Sequence, residues 1–383
     1  MDLQTDTDFT AANVIVDRVD GDEVWFRPDL RDTEGPWFYW CFGLRGAAGR
    51  RVRFHIGADN ALTAAGAAVS YDQGWTWQWL AREDHHDDHA FSLTVPPDTD
   101  EVRLSLAMPY TAEQWYAFAD GHRDHPRFAA GVLCQSPSGR DVPQAVVGPR
   151  DAEADYRIVV TARHHCCEMM ASYTLEGLLE AALADDDLGR WFAKHVQVLA
   201  IPFVDFDGVE AGDQGKNRRP RDHNRDYSDP SIYPETAAIR CLLPQWAGRR
   251  LRVALDLHCP WVRGPSNEVI YLVGSRDPQQ WRQQCRFGDL LESSRQGPLP
   301  YRAEDNLPFG QQWNVEANDT QGCSCSRWMT QLPGVQLATT IEIPYALAHD
   351  QPVDQSSARL LGHDLAGALK QYLTTADDEA LPA

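Results

Sequence analysis

The chain has no apolar run approaching the roughly 20 residues that a membrane-spanning helix requires, so no segment reads as a membrane span. Its opening residues, MDLQTDTDF, are acidic and lack both the basic and the apolar parts of a secretory signal. The expectation is a cytoplasmic protein. The nine cysteines, an odd number without such a signal, are then expected as reduced thiols rather than a disulfide framework. Positive charge is in deficit: the net charge is -21, a field that repels nucleic acid and anionic membrane, so neither is expected as a partner. There is no internal repeat and no low-complexity tract, and residues 13–148 contain no convincing long helix.

What is present begins with a chain of 383 residues, long enough for two domains with cores of their own. The first part is β-rich. WFYWCFGL (37–44), RRVRFHIG (50–57), HAFSLTV (89–95) and EVRLSLAM (101–108) are short aromatic or β-branched runs separated by Gly, Pro and Asp turns, a pattern that predicts a β-sandwich. The cluster Asp84, His85, His86, Asp87, Asp88 and His89 is rich in ligand atoms. Neighbours along an extended chain point in opposite directions, however, so it is expected to be a solvated loop. Residues 136–155 (SPSGRDVPQAVVGPRDAEAD) read as a domain junction.

Beyond that point strands alternate with helices, the signature of an α/β domain with a largely parallel sheet. Strands are predicted at 156–162, 196–204, 251–257, 269–274 and 335–341, and helices at 169–183, 191–195, 235–246, 279–293 and 356–374. His165, Asp207, His258 and Glu342 each fall just past a predicted strand. In open α/β sheets that edge is where ligands bind, so the four are expected to converge on one crevice. Within TARHHCCE (161–168), His165 and Glu168 stand three residues apart, able to hold one metal ion from a single turn of chain. With His258 as a distant third ligand they form the set that a catalytic zinc uses, leaving a position for water. Cys166, Cys167 and Cys259 flank these ligands, and His164 with Cys167 is a competing pair. Lys216–Arg225 (KNRRPRDHNR) packs five cations and one acid into ten residues of an otherwise acidic chain.

TARHHCCE, then NRDY (224–227), DLH (256–258) and TIE (340–342), in this order, resemble the zinc carboxypeptidase family. WFYWCFGL, VSYDQGWTW (69–77), MPYT (108–111) and LCQSPSGRDVP (133–143) look like the sandwich that precedes the catalytic domain in its cytosolic branch. The resemblance implies an N-terminal β-sandwich over residues 1–149, followed by an α/β zinc carboxypeptidase-type domain with a mixed, largely parallel sheet over 150–383. It implies one zinc per chain on His165, Glu168 and His258, with Glu342 as general base. It further implies an oxyanion-stabilising arginine, Arg218 in preference to Arg221, and a clamp for a terminal carboxylate made by Asn224 and Arg225, with Arg221 beside them. Asp256 is either a partner of a ligand histidine or a strand-end turn residue. Where the family often has Asn-Pro-Asp-Gly, this chain reads Asp205-Phe206-Asp207-Gly208.

The implied activity is hydrolysis of the C-terminal peptide bond of a peptide or protein tail. The cations of the 216–225 run suggest a preference for acidic termini. An amidohydrolase acting on N-acyl amino acids and a non-catalytic binding protein of the same fold are the alternatives. The preceding sandwich disfavours the first, and the intact set of ligands, base and clamp disfavours the second.

Overall fold

The structure, a computed structural model, describes residues 2–149, 154–319 and 322–379. Its N-terminal part is a sandwich of two five-stranded sheets. One orders the strands Gln4–Asp6, Cys41–Arg45, Glu101–Ser105, Ala68–Ser70 and Gln78–Trp79. The other orders Ile15–Asp20, Glu23–Arg27, Arg51–Ile56, Ala90–Thr94 and His85–Asp87. Alternation along Glu23–Arg27 and Arg51–Ile56 turns Val24, Phe26, Val52, Phe54 and Ile56 inward. Phe26, Trp40, Phe42, Phe54 and Phe91 meet there as stacked and edge-on rings. The predicted all-β character has one exception, the helix Ala112–Gly121, started by a capping box between Thr111 and Gln114. The 84–89 cluster is not simply a loop. His85–Asp87 is an edge strand, His86 Nε2 lies 2.7 Å from Ser92 Oγ, and the cluster forms no metal-competent group.

The second part is built on a seven-stranded sheet in the order 128–135, 141–147, 196–201, 156–162, 251–258, 337–342, 271–273. The central four strands are parallel; the flanking pairings at both sides are antiparallel. The sheet therefore starts before the expected boundary at 149/150. The Phe128–Gln135 and Asp141–Val147 hairpin is joined to it by pairing of Ala145, Val146 and Val147 with the Val196–Ile201 strand. Turn residues mark a hairpin loop as readily as a linker: Ser136 N donates to Arg140 O at 2.9 Å, closing the SPSGR turn inside the predicted junction. The remainder of that junction, 150–153, lies outside the described residues.

Strand alternation separates two layers of helices. Ile158, Val160, Val198, Val253 and Leu255 share a core with the helices Met169–Leu183 and Gln355–Glu379. Val159, Leu199, Ile201 and Ala254 pack against the helix Pro234–Ala247 through Ile239 and Leu243. Met169–Leu183 is buried on nearly every side, which is why its sequence is apolar all round. A side chain at Gly177 would overlap the carbonyl of Arg359, and one at Gly362 that of Thr174, so two glycines set the close crossing of the helices. Among the described residues no helix is long and apolar enough to cross a membrane.

Candidate metal centre and active site

Three segments reach one point at the carboxyl edge of the parallel strands. The strand Tyr156–Ala162 ends in the turn 163–168, which carries His165 and Glu168; His258 and Glu342 are the last residues of their own strands. The turn is held from within. Arg163, buried and with a positive φ of 63°, folds its guanidinium back onto Cys166 O and donates to Tyr110 O at 2.9 Å and Ser172 Oγ at 3.1 Å.

His165 Nδ1 lies 2.9 Å from Glu168 Oε1, His258 Nδ1 lies 2.8 Å from Glu168 Oε2, and the two Nδ1 atoms are 3.3 Å apart. On the opposite side of each ring a carboxylate waits: Asp256 Oδ2 is 2.9 Å from His258 Nε2, and Asp222 Oδ1 is 3.7 Å from His165 Nε2. Such partners favour the proton on Nε2 and leave both Nδ1 lone pairs directed at each other and at Glu168. Facing lone pairs and a buried carboxylate call for a cation between them. Glu168 Oε2 indeed has no hydrogen-bond donor. The three side chains thus fit one metal ion, and their donor set of two imidazoles and a carboxylate suits zinc.

The field at the site is set by burial and by these neighbours. Burial alone would raise the Glu168 carboxyl, but His165, Lys216 and His258 outweigh it and hold it well below the usual range. Burial likewise opposes the charge of His258, yet Asp256 and Glu168 carry it well above an ordinary imidazole. Glu342 goes the other way: burial, with repulsion from Glu168, pushes it up to about 7 against the attraction of His258 and Lys216. Its Oε2 also has no hydrogen-bond donor. A carboxylate poised near neutrality in a buried crevice is suited to exchanging protons with a reacting group.

No protein-family model matches the chain. The Caenorhabditis elegans protein named cytosolic carboxypeptidase 6 is 25% identical over 276 residues, which is 63% of this chain and 59% of that one. The mouse protein named cytosolic carboxypeptidase 4 is 27% identical over 233 residues, 55% of this chain and 20% of that one. The chain thus spans about three-fifths of the first relative and a fifth of the second. The crystal structure of a metallo-carboxypeptidase from Burkholderia cenocepacia shares the fold, with a TM-score of 0.79 over 98% of this chain and all of that one, at 19% identity. The chain is thus similar in sequence to cytosolic carboxypeptidases and shares its fold with a metallo-carboxypeptidase.

The other predicted residues are distributed unevenly. Asn224 is buried beside the metal site, its Oδ1 accepting from Cys325 N at 2.9 Å and its Nδ2 lying 3.3 Å from His258 Nε2. Arg225 is half-buried and donates to Asn224 O at 2.9 Å. Arg218 corrects the expectation made for it. Its buried guanidinium lies 2.5 Å from the buried Asp205, 2.5 Å from the partly buried Asp213 and 2.8 Å from the exposed Asp32, three carboxylates that draw it away from a substrate oxygen. Arg221 is similarly turned aside, 3.0 Å from the buried Asp226 and donating to Pro230 O. Asp207 does not join the crevice either: it binds Ser136, Ser138 and Arg140 of the 128–147 hairpin, because the strand before it stops at Ile201 and the chain bends into a helix.

Cys166, Cys167 and Cys259 are not part of the His165, Glu168 and His258 group. Cys166 donates to Asp213 O, Cys167 faces Tyr345, and burial pushes both thiols up. His164 turns away from Cys167, its Nδ1 lying 2.8 Å from Asp256 Oδ1 and its Nε2 2.7 Å from Tyr227 OH. Asp256 is therefore a partner of two histidines and not merely a turn residue. Sequence reasoning missed Asp222 and Arg163, and singled out Lys216 only as one of the cations of the basic run. Only Asp222 carried a usable signal, its place two residues before Asn224 in DHNR.

Proposed function

We propose that this chain is a zinc-dependent metallocarboxypeptidase that removes the C-terminal residue of a peptide or protein tail. The observation that carries the reading is the buried convergence of His165, Glu168 and His258, with Glu342 directly beside His258 on the neighbouring strand. Zinc, when bound by these three side chains, supplies acidification of water and polarisation of a carbonyl. Glu342 takes a proton from the attacking water and hands it to the departing amine, so that water is divided between the two products of the broken amide. Asp256, 2.9 Å from His258 Nε2, holds that imidazole in the tautomer that presents Nδ1, and the charge of Asp222, 3.7 Å from His165 Nε2, favours the same tautomer there. Arg225, with Asn224 beside it, receives the substrate's terminal carboxylate, a planar anion suited to a planar cation.

The finer reading is a preference for acidic terminal residues. A cavity lined by Arg276, Arg327, Ser324 and Ser326 opens behind the base strand, where Ser326 Oγ accepts from Thr340 Oγ1 at 2.9 Å. Between Ser324 and Ser326, the backbone N of Cys325 donates to Asn224 Oδ1 at 2.9 Å. Two arginines there supply the charge that a glutamate or aspartate side chain would meet.

Incubating the protein with a peptide library varied at the C-terminus, in free-acid and amidated forms, and following masses tests both levels. Loss of single terminal residues from free acids only, together with one zinc per chain by elemental analysis, is the expected result. Cleavage of N-acyl amino acids alone would establish a deacylase. Equal cleavage of acid and amide forms would exclude an exopeptidase, and preference for Lys or Phe over Glu would refute the acidic subsite.

A further inference from the structure

We propose that Lys216 is the cation that stabilises negative charge gathering on the scissile carbonyl oxygen; this rests on the carboxypeptidase reading above. Both arginines suggested for that task are held elsewhere by carboxylates, Arg218 by Asp32, Asp205 and Asp213, and Arg221 by Asp226. Lys216 instead enters the centre. It is buried, its Nζ lies 2.7 Å from Glu168 Oε1, and it donates to the carbonyl of Cys259, the residue after His258, at 2.9 Å.

An ammonium has three donors. One meets the metal-ligand carboxylate and one the Cys259 carbonyl, while Pro260 O lies at a marginal 3.5 Å. The charge also acts on Glu342, whose carboxyl it helps to pull down. Lys216 therefore sits between the metal ligand and the base, where a substrate oxygen becoming anionic would meet it. A fixed donor in a water-poor site stabilises such charge without reorganising. The residue is one of only three lysines in a chain whose remaining 32 cations are arginines.

Its position is built by both halves of the molecule. Gly215, with a φ of 79°, lets the loop settle on the ligand turn; a side chain there would overlap the backbone nitrogen of Cys166. The preceding Gln214 exchanges hydrogen bonds with Tyr39 of the sandwich, accepting from its N and donating to its O, both at 2.8 Å. Asn13 donates to Gly212 O at 2.7 Å, and Arg31 lies 2.5 Å from Asp213. Trp37, also from the sandwich, offers its ring 5.5 Å from Nζ and packs on Trp261 of the catalytic half. The sandwich thus forms one wall of the centre and carries the loop that delivers the cation.

The test compares wild type, Lys216→Met and Lys216→Arg for zinc content, melting temperature, turnover of a free-acid peptide, and affinity for two inhibitors. One inhibitor is a peptide phosphonate, an anionic tetrahedral mimic; the other is the uncleavable ketomethylene analogue of the same peptide, a mimic of the ground state. Lys216→Met is expected to keep its zinc, lose about 10²–10³-fold in kcat, and lose a comparable factor in phosphonate affinity. Its affinity for the ketomethylene analogue should change less than about threefold, and Lys216→Arg should recover part of the loss. Near-normal turnover in Lys216→Met, equal weakening of both inhibitors, or loss of zinc from both variants would overturn the assignment. Absence of peptide cleavage by wild type would instead refute the carboxypeptidase reading, and this assignment with it.

Discussion

His258 and Glu342 are register partners, the last residues of two adjacent parallel strands. The spacing between the proposed metal ligand and the proposed base is therefore a property of the sheet rather than of a loop, and both are buried. Backbone hydrogen bonds continue the ladder one residue further, with Ile343 N donating to His258 O at 2.8 Å. Sites carried on rigid elements hold their geometry more closely than sites on loops.

From this follows the first prediction. Glu342→Gln should retain zinc and a melting temperature near that of wild type, because the amide fills the same volume beside His258. Its kcat should fall by about 10²–10⁴-fold, the range of a lost general base. Stopped-assay kinetics beside elemental analysis decide it; near-normal turnover would assign the base elsewhere.

The carboxylates behind the two imidazoles give the second. Asp222 Oδ1, 3.7 Å from His165 Nε2, has no hydrogen-bond donor of its own, and Asp256 holds both His258 and His164. Asp222→Asn and Asp256→Asn should each weaken zinc by roughly 10–100-fold, the usual cost of an outer partner. His165→Ala and His258→Ala should lose it at ordinary concentrations. Competition with a chelator of known affinity measures all four, and unchanged zinc affinity in both Asn variants would remove the orienting role.

The convergence of the proposed ligands and base was readable in the sequence because each follows a strand-like run: YRIVVTA before the His165 turn, LRVALDL before His258, LATTI before Glu342. Strand polarity then brings their ends to one edge, which is a rule of the fold and requires no knowledge of contacts. The arginines were not readable for the opposite reason. Five cations in ten residues look equivalent along the chain, and which of them meets a carboxylate depends on Asp32, Asp205 and Asp213 arriving from three separate segments. The 128–147 hairpin was obscured because its Ser-Pro-Ser-Gly turn has the composition of a linker.

Arg218 supports the third prediction. It meets three carboxylates, two from the second half and one from the sandwich, and Asp205 among them is buried, so Arg218→Met should leave the buried Asp205 charge without its nearest cation. The expected cost is roughly 3–5 kcal/mol of stability, as for other broken buried pairs. Denaturant unfolding reads this directly. A loss below about 1 kcal/mol, the scale of an exposed ion pair, would show that the trio is solvated.

The last prediction concerns two groups displaced in opposite senses. His223 and Glu235 lie 3.9 Å apart, both buried, next to Asp205. His223 is pushed down to about 4 from an ordinary 6.5, chiefly by burial and then by Arg218, against the pull of Asp205. Glu235 is pushed up to about 7 from 4.5, again chiefly by burial, with Asp205 and Asp207 adding to it. An imidazole whose folded pKa is depressed takes its proton more readily when unfolded. The stability linked to His223 is therefore complete above pH 6.5 and is lost as pH falls to about 4. A carboxyl whose folded pKa is raised keeps its proton better when folded, so the stability linked to Glu235 is complete below pH 4.5 and is lost as pH rises to about 7. Between pH 4.5 and 6.5 the two slopes oppose each other, and single variants separate them. The unfolding free energy of wild type minus that of Glu235→Gln should fall steadily from pH 4.5 to 7. The corresponding difference from His223→Asn should rise between pH 4 and 6.5, by at most roughly 3 kcal/mol. Urea titrations at four pH values supply both curves. A flat Glu235→Gln difference would mean that this carboxyl ionises as freely in the folded protein as in the unfolded chain.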